Sequence, residues 1–238
     1  MSILSAISIN QPDDATLYYH YEPVQRGSRA CYHWWNEVKK IIRTEQVELP
    51  VEIFGNTLVH YAHKSDVFRL RKLLDHGGIY LDCDTICIKP FTPLLKESAV
   101  MAYQPSARDP LLEECHYGLG NSTMLSEPNN VFMQSWWNQY TTFRSLGKDD
   151  YWDEHSVRIP VKLDKTGLTI LNYKSFFYPM ICDFIDVLFN STNLELMSES
   201  YSCHLWETVT LAELKLFTPE FIQQHNSNYC QLARRVFN

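Results

Sequence analysis

The sequence predicts an α/β fold, in which a mixed, mostly parallel sheet is flanked by helices. The first observation is an apolar stripe at spacings of three and four residues along 61–76, which is typical of a helix packed on one face. The second is Gly77-Gly78, a break placed where a helix would be capped. The third is the apolar run 79–81, which follows at once and indicates a buried strand. This order of elements favours a site at the carboxyl end of that strand.

Four elements are predicted ahead of this helix. Residues 2–10 have helical spacing and end in the turn-rich segment 10–14. A short strand is expected over 15–21. A second helical pattern covers 34–42, and an extended segment at 47–54 leads into a turn.

The pattern is coarser in the second half of the chain. It predicts, in order, a strand over 99–104, a loop over 105–120, a helix over 131–143, a loop over 145–156 and a strand over 169–172. Both loops are polar and rich in glycine or acids, so we expect them to lie over a site. Trp136 and Trp137 occupy helical positions, where aromatic residues more often serve core packing than ligand binding.

Length and composition are those of one globular domain. The chain has 238 residues, of which 45% are hydrophobic and 21% charged, so it can bury a substantial core. No repeat or linker divides it. We therefore expect a single domain over 1–238, with 145–238 forming its acceptor-binding or lid portion.

Charge and hydropathy exclude several partners. A net charge of −7 gives no electrostatic footprint for nucleic acid, which is not expected as a partner. No apolar run reaches the roughly 18 residues of a membrane span, so no transmembrane segment is expected. The seven cysteines lack the spacing of a zinc site. As written, the chain is expected in the cytoplasm, or in the secretory lumen if an N-terminal anchor is missing.

Two carboxylates, Asp82 and Asp84, follow the predicted strand directly. On an extended segment, residues two apart point to the same face. Adjacent acids repel each other and usually stay charged only when a cation lies between them. The commonest such cation is a divalent metal with oxygen ligands, so the sequence predicts a metal site here.

The segment 82–85 also fits a second class of enzyme. A hydrophobic strand followed by DxDxT is how haloacid-dehalogenase-type phosphatases present their nucleophile and acid. That motif normally opens its domain, whereas residues 1–81 precede it here, and Asp149-Asp150 is the only late pair of aspartates. The phosphatase remains the less favoured enzyme class.

A longer pattern includes both acids. The spacing S/A-D-x-x-R-x-x-x-L-x-x-x-G-G-x-Y-x-D-x-D is matched by Ser65, Asp66, Arg69, Leu73, Gly77, Gly78, Tyr80, Asp82 and Asp84. This pattern resembles that of the family-32 glycosyltransferases, which carry a DxD sequence. The resemblance continues through 118–121, 127–128, 152–156 and 204–207, and so covers almost the whole chain.

The resemblance implies a GT-A fold and a retaining hexosyltransferase. The donor would be a UDP- or GDP-hexose, the acceptor a hydroxyl of a glycan or lipid, and the cofactor Mn²⁺ or Mg²⁺. A cation is needed because a diphosphate departs with its negative charge. No carboxylate is marked by spacing as a nucleophile, so front-face attack is expected.

The resemblance also assigns roles to residues around the acid pair. Asp84 would bind the metal directly, Asp82 would bridge metal and sugar, and His204 would be the third ligand. Asp66 and Arg69 lie three apart on one helix, so they share a face and can pair. They would hold the donor sugar and its diphosphate, for which the fork of arginine is suited.

Further contacts are expected at the donor. Tyr80 would pack under it, and Asn121 would offer donor and acceptor groups to its hydroxyls. Gly118 and Gly120, lacking side chains, would let the backbone approach a ligand. Trp206 would belong to a closing segment that excludes water.

Two expectations concern the acceptor and the start of the chain. Glu154 and His155 are polar residues that would contact the acceptor. Related chains usually begin with an additional strand, whereas residues 1–4 here begin at the helix that would follow it. The chain is therefore expected to be N-terminally truncated relative to the family, which puts activity in doubt. A degenerate transferase that serves as a binding or scaffold module remains an alternative.

Overall fold

The computed structural model describes residues 1–22, 29–106 and 116–236. The part of the predicted loop at 107–115 lies outside the described residues. Within them, no helix is long and apolar enough to cross a membrane.

Helices and strands are interspersed along the chain, as the sequence predicts. The helices are α1 (Ser2–Asn10), α2 (Arg29–Ile41), α3 (Tyr61–His76), α4 (Val131–Gln139), α5 (Glu207–Leu214), α6 (Pro219–Gln224) and α7 (Asn228–Arg234). The strands are β1 (Thr16–Tyr19), β2 (Arg43–Gln46), β3 (Glu52–Ile53), β4 (Asn56–Thr57), β5 (Gly78–Leu81), β6 (Thr85–Cys87), β7 (Ala99–Pro105), β8 (His116–Ser126), β9 (Thr169–Leu171) and β10 (Ser202–His204). The predicted α/β class is confirmed.

The largest sheet described has the strand order β5-β8-β7-β9. The long strand β8 runs antiparallel to both of its neighbours, and only β9 pairs in parallel, with β7. Elsewhere β1 and β2 are parallel on either side of α2, while β6 and β10 are antiparallel. The sheet is mixed, as predicted, but mostly parallel pairing is not found among these strands. An apolar run predicts a buried strand without fixing the direction of its neighbours.

Helix α3 ends where the glycine pair predicts. Gly77 takes a φ of 66°, and its N–H donates to Leu73 O at 2.8 Å. A Cβ at Gly77 would lie 2.7 Å from Pro128, so glycine is required both by the backbone angle and by the close contact. The apolar stripe of α3, with Leu70 and Leu73, is buried in a core cluster that also contains Trp136.

The segment after β5 differs from the extended segment that was expected to carry the acid pair. Strand β5 ends at Leu81, and residues 82–84 form a tight turn that Thr85 N closes by donating to Asp82 O at 3.0 Å. Strand β6 then pairs in a different sheet from β5. The two acids therefore lie on a turn between two sheets.

Other boundaries shift for identifiable reasons. The predicted extended segment 47–54 contains the short strand β3, whereas β2 at 43–46 was not predicted, because its sequence is polar and its side chains are exposed or partly exposed. Residues 116–120, predicted as loop, belong to β8. The predicted helix over 131–143 is α4 followed by a short 3₁₀ turn at 140–142.

Candidate metal centre

Three ligand-bearing side chains converge at the turn after β5. The Nε2 atom of His204 lies 3.1 Å from Asp84 Oδ1 and 4.0 Å from Asp82 Oδ2. One ligand atom from each residue falls within 4.8 Å of the others. All three side chains are partly exposed, so a ligand can reach them. We call these three residues the metal centre.

Strand pairing brings His204 to the acids across about half the chain. Strand β10 runs antiparallel to β6 and places His204 opposite Thr85, the residue directly after the acid turn. Two backbone groups fasten the next segment to the same turn. Leu205 N donates to Asp84 O at 2.7 Å, and Glu207 N donates to Asp84 Oδ2 at 3.0 Å.

The chemistry of this donor set fits a divalent cation. Two carboxylates and one imidazole supply oxygen and nitrogen ligands together, as Mn²⁺ and related ions accept. Burial opposes the ionisation of Asp84, but the hydrogen bond and charge of His204 and the N–H of Glu207 outweigh it. They hold the pKa of Asp84 below its usual range, so this ligand is ionised at neutral pH.

Arg69 connects the metal centre to α3. Its Nη1 atom donates to Asp82 Oδ2 at 3.2 Å and to the backbone oxygen of Asn121 at 2.8 Å, and its Nε lies 3.7 Å from Asp66 Oδ1. The residue is only 7% exposed. Burial alone would lower the pKa of Arg69, but the negative charge of Asp82 and its neighbours raises it above the usual range. The guanidinium is therefore a permanent, buried cation.

Asp66 and Asn121 form the second half of this connection. The amide of Asn121 donates from Nδ2 to Asp66 Oδ1 at 2.8 Å, and Arg69 Nη1 lies 3.2 Å from Asn121 Oδ1. Burial raises the pKa of the Asp66 carboxyl, while Arg69 and Asn121 act in the opposite direction. The predicted pairing of Asp66 with Arg69 is present, with Asn121 as a third partner.

Tyr80 completes the group on the other side of Arg69. Its hydroxyl donates to Asp82 Oδ1 at 2.7 Å, and the guanidinium of Arg69 stands 4.6 Å from its ring centroid. Burial raises the pKa of Tyr80 well above its usual range, so the phenol stays a donor. We call Asp66, Arg69, Tyr80 and Asn121 the arginine network.

Trp206 lies against the metal centre. Its ring contacts that of His204 edge-on, with centroids 4.4 Å apart. Its backbone has a φ of 53°, a rare conformation for a bulky residue. The indole N–H is buried and has no hydrogen-bond partner among the described residues. A buried donor without a partner beside a ligand cluster is consistent with the predicted contact to a bound molecule.

Two predictions about the surrounding segments are wrong. Gly118 and Gly120 lie within β8, and a Cβ there would meet Val157 O at 2.3 Å or the Phe177 ring at 2.0 Å. They are glycines because protein packs against them, which leaves no room for a ligand. His155 is only 2% exposed and packs among aromatic rings, so it cannot face an acceptor.

Some further contributions were not predicted, although Ser65 belongs to the matched pattern. Phe177 fills the space over Gly120, and its ring lies edge-on to His204 at 6.4 Å between centroids. Ser65 accepts from Arg69 through both its backbone oxygen and its hydroxyl, at 3.4 Å each. The Glu207 contribution is a backbone N–H, which any residue but proline would supply.

The geometry of Asp82 disfavours the phosphatase alternative. A nucleophilic aspartate needs a free carboxylate oxygen, but here Tyr80 donates to Oδ1 and Arg69 to Oδ2. The hydroxyl of Thr85, in the last position of DxDxT, is buried within β6 and has no partner among the described residues.

Comparison with known proteins identifies the same region. Residues 11–101 match the family described as glycosyltransferase sugar-binding region containing DXD motif. The resemblance to DxD-containing glycosyltransferases, a class of enzymes, is thereby confirmed; the family-32 assignment and the missing first strand stay predictions.

One curated relative and two solved structures are similar over most of this chain. Glucan organizing enzyme 1 of Cryptococcus neoformans var. grubii is 30% identical over 225 residues, covering 92% of this chain but 58% of the relative, so this chain spans little more than half its length. PaToxG glycosyltransferase is 13% identical with a TM-score of 0.42, covering 97% of this chain and 78% of that one. The galactosyltransferase LgtC, solved with donor and acceptor sugar analogs, is 14% identical with a TM-score of 0.44, covering 99% and 91%.

Proposed function

We propose that this chain is a metal-dependent, retaining glycosyltransferase of the GT-A type. It would move a hexose from a nucleotide-diphosphate sugar to a hydroxyl of a glycan or glycolipid. The observation that supports this most strongly is the convergence of Asp82, Asp84 and His204 beside the arginine network. The family match over residues 11–101 includes both acids and Arg69.

The metal centre would hold the ion through Asp82, Asp84 and His204. A bound divalent ion neutralises negative charge on a departing diphosphate. We favour Mn²⁺ over Mg²⁺, because an imidazole ligand suits the softer ion while Mg²⁺ prefers oxygen ligands and gives up water reluctantly.

The arginine network would position the donor sugar. Asp66 and Asn121 carry the hydroxyl-binding groups, a carboxylate and an amide, already aligned by their own hydrogen bond. Arg69 donates to both Asp82 and Asn121, so it holds the sugar-binding groups in register with the metal ligand. Such fixed alignment lowers the entropy cost of reaching the transition state.

Retention is proposed to follow from front-face attack. The carboxylates of the described cluster are already engaged: Asp66 with Asn121, Asp82 with Tyr80 and Arg69, and Asp84 with His204. None is left as an obvious nucleophile. The acceptor hydroxyl would therefore lose its proton to the leaving phosphate. Trp206 would shield this step from water, whose attack on the donor is the competing reaction.

A glucose-containing acceptor is our proposal for the substrate class. It is supported by the name of the curated relative, which refers to glucan. A neutral hexose polymer is also compatible with a chain whose net charge of −7 would repel anionic acceptors.

A screen of UDP- and GDP-hexoses tests the proposal. Thermal unfolding and donor turnover are followed with Mn²⁺ and with EDTA, and a generic phosphate ester serves as a phosphatase control. We expect one donor to raise the melting temperature and to be consumed only when Mn²⁺ is present. Turnover that is unchanged by EDTA, or cleavage of the ester alone, would contradict the proposal. Absence of any metal-dependent donor binding would favour the scaffold alternative.

A further inference from the structure

A groove lies on the face of α3 that points away from the metal centre. Val67 and Arg71 line it, and on a helix they lie roughly half a turn from Asp66 and Arg69. The groove has a volume of about 370 Å³, and an adjoining hollow of about 240 Å³ shares Arg71 and Trp137 with it. We call the two together the aromatic groove.

Phe54 forms one wall of the aromatic groove in a strained conformation. It has a φ of 51° and, with Gly55 at 79°, makes the turn between β3 and β4. Such turns prefer asparagine at this position, and a bulky residue there costs stability. Phe54 is nevertheless 50% exposed, so burial of its ring offsets little of the strain. Backbone strain at a residue whose side chain stays half exposed indicates that the conformation is retained for a function.

The hairpin that carries Phe54 is held rigidly. Asn56 Nδ2 donates to the backbone oxygens of Tyr140 and Thr141, both at 3.1 Å. The hairpin is thereby fixed to the segment that follows α4. Phe54 is presented by an anchored turn.

Trp137 lies beside Phe54 in the lining of the aromatic groove. Its ring lies edge-on to Phe54, with centroids 5.9 Å apart, and Arg71 stands 5.7 Å from its centroid. The neighbouring Trp136 is 1% exposed and belongs to the core, whereas Trp137 is half-buried. Of these two adjacent tryptophans, Trp137 is therefore the one that a ligand can reach.

The polar lining indicates the chemistry of that ligand. Glu48, Glu52 and Asp75 are acidic, while the one cation in the lining, Arg71, is already paired with Asp75 at 2.9 Å. This excess of negative charge disfavours phosphates, nucleic acids and anionic headgroups. The side-chain amide of Asn138 adds hydrogen-bond donors and an acceptor at the rim. Flat apolar rings beside amides and carboxylates suit a neutral molecule with many hydroxyls and apolar C–H faces.

We propose that the aromatic groove binds a neutral oligosaccharide chain, at a site separate from the metal centre. Phe54 and Trp137 contact the apolar faces of sugar rings, and the polar rim binds their hydroxyls. Oligosaccharide binding in the groove requires no donor, metal or transfer, so it can be tested independently of the proposed transferase activity.

Direct titration tests the site in the presence of EDTA. Hexasaccharides of glucose in different linkages, and mannohexaose, are titrated into the chain by calorimetry. We expect Trp137→Ala to weaken binding about tenfold or more, as truncation of a central aromatic contact does. Tyr21→Ala, which removes an exposed aromatic ring outside the groove, is the matched control and leaves binding unchanged. A melting curve for each variant shows that it is folded.

A second variant separates binding from folding. Phe54→Asn places the residue that the turn prefers, so the melting temperature should rise by about 2–4 °C while oligosaccharide binding weakens. The proposal is overturned if no hexasaccharide binds the unmodified chain, or if binding survives both variants. It is equally overturned if a lysine-rich peptide binds in a manner dependent on Trp137 and the sugars do not, since the groove would then be a protein-docking surface.

Discussion

The two faces of α3 differ in how deeply their side chains are buried and in how their charges are paired. One face carries Asp66 and Arg69, which are 9% and 7% exposed, and every charge there meets partners at fixed distances. The other face carries Arg71, which is exposed and borders a groove lined by the exposed ring of Phe54 and the partly buried ring of Trp137. The first face is organised before any ligand arrives. The second face leaves apolar surface exposed to solvent, which a recognition site for a large ligand requires.

The contrast also concerns energy. Removing one partner from a buried ion pair costs several kcal/mol, because the other charge is left unpaired in the interior. Changes on an exposed surface usually stay within about 0.5 kcal/mol. Substitutions in the buried arginine network should therefore lower both stability and function, whereas those in the groove should weaken binding while the chain stays folded.

The largest effect is expected from Asp84→Asn. The variant keeps an oxygen that can accept from Glu207 N, so the fold should survive, but one charged ligand of the proposed metal ion is lost. Transfer should fall by about a thousandfold. Initial rates with saturating Mn²⁺ measure this, and Asp186→Asn, an exposed aspartate, is the matched control. Near-normal, metal-dependent rates in Asp84→Asn would show that Asp84 is not needed for transfer, and the functional difference between the two faces of α3 would not hold.

The next effect is expected from Arg69→Lys. Lysine keeps the charge, but its donors share one nitrogen atom, which cannot replace both Nη1 beside Asp82 and Asn121 and Nη2 beside Ser65. Transfer should fall by about a hundredfold through misalignment, and stability by about 2 kcal/mol through lost hydrogen bonds to a charged group. Denaturant unfolding measures the change in stability, and initial rates measure the change in transfer. Arg43→Lys, at an exposed ion pair on β2, should change neither by more than a small factor. Equal effects at both positions would mean that burial of the network is unimportant.

The smallest effect is a pH-dependent change in stability in Asp66→Asn. Burial raises the pKa of Asp66, so its ionisation costs more in the folded state than in the unfolded one. The wild-type chain should therefore lose stability relative to the variant as pH rises from below the usual aspartate value through the raised pKa. Above that pKa the difference should stay constant. Urea unfolding at several pH values between about 3 and 8 measures it. If the wild-type chain instead lost stability relative to the variant as pH falls, the sign would be reversed, and Arg69 and Asn121 would outweigh the burial cost.

The sequence predicted one face of α3 far better than the other. Asp66, Arg69, Tyr80, Asp82 and Asp84 lie within twenty positions, so fixed spacing is visible along the chain. The groove brings Phe54, Arg71 and Trp137 together from three separate segments, and no local pattern connects them.

The other incorrect predictions have the same cause, which is contact between residues that are distant in the sequence. The glycines at 118 and 120 are explained by contacts with residues 157 and 177, which no local reading of β8 contains. The turn at 82–84 depends on β6 pairing with β10 rather than continuing the sheet of β5. Periodicity located α3, β5 and β7 because their apolar stripes are local, whereas the direction of strand pairing is set by distant partners.

A titration of Mn²⁺ shows whether Asp82, Asp84 and His204 form a metal site. Binding is followed by electron paramagnetic resonance in wild type, Asp84→Asn, His204→Asn and the Arg43→Lys control. We expect a single site per chain in wild type and control, lost in Asp84→Asn and weakened in His204→Asn. Equal Mn²⁺ binding by all four proteins would contradict this expectation.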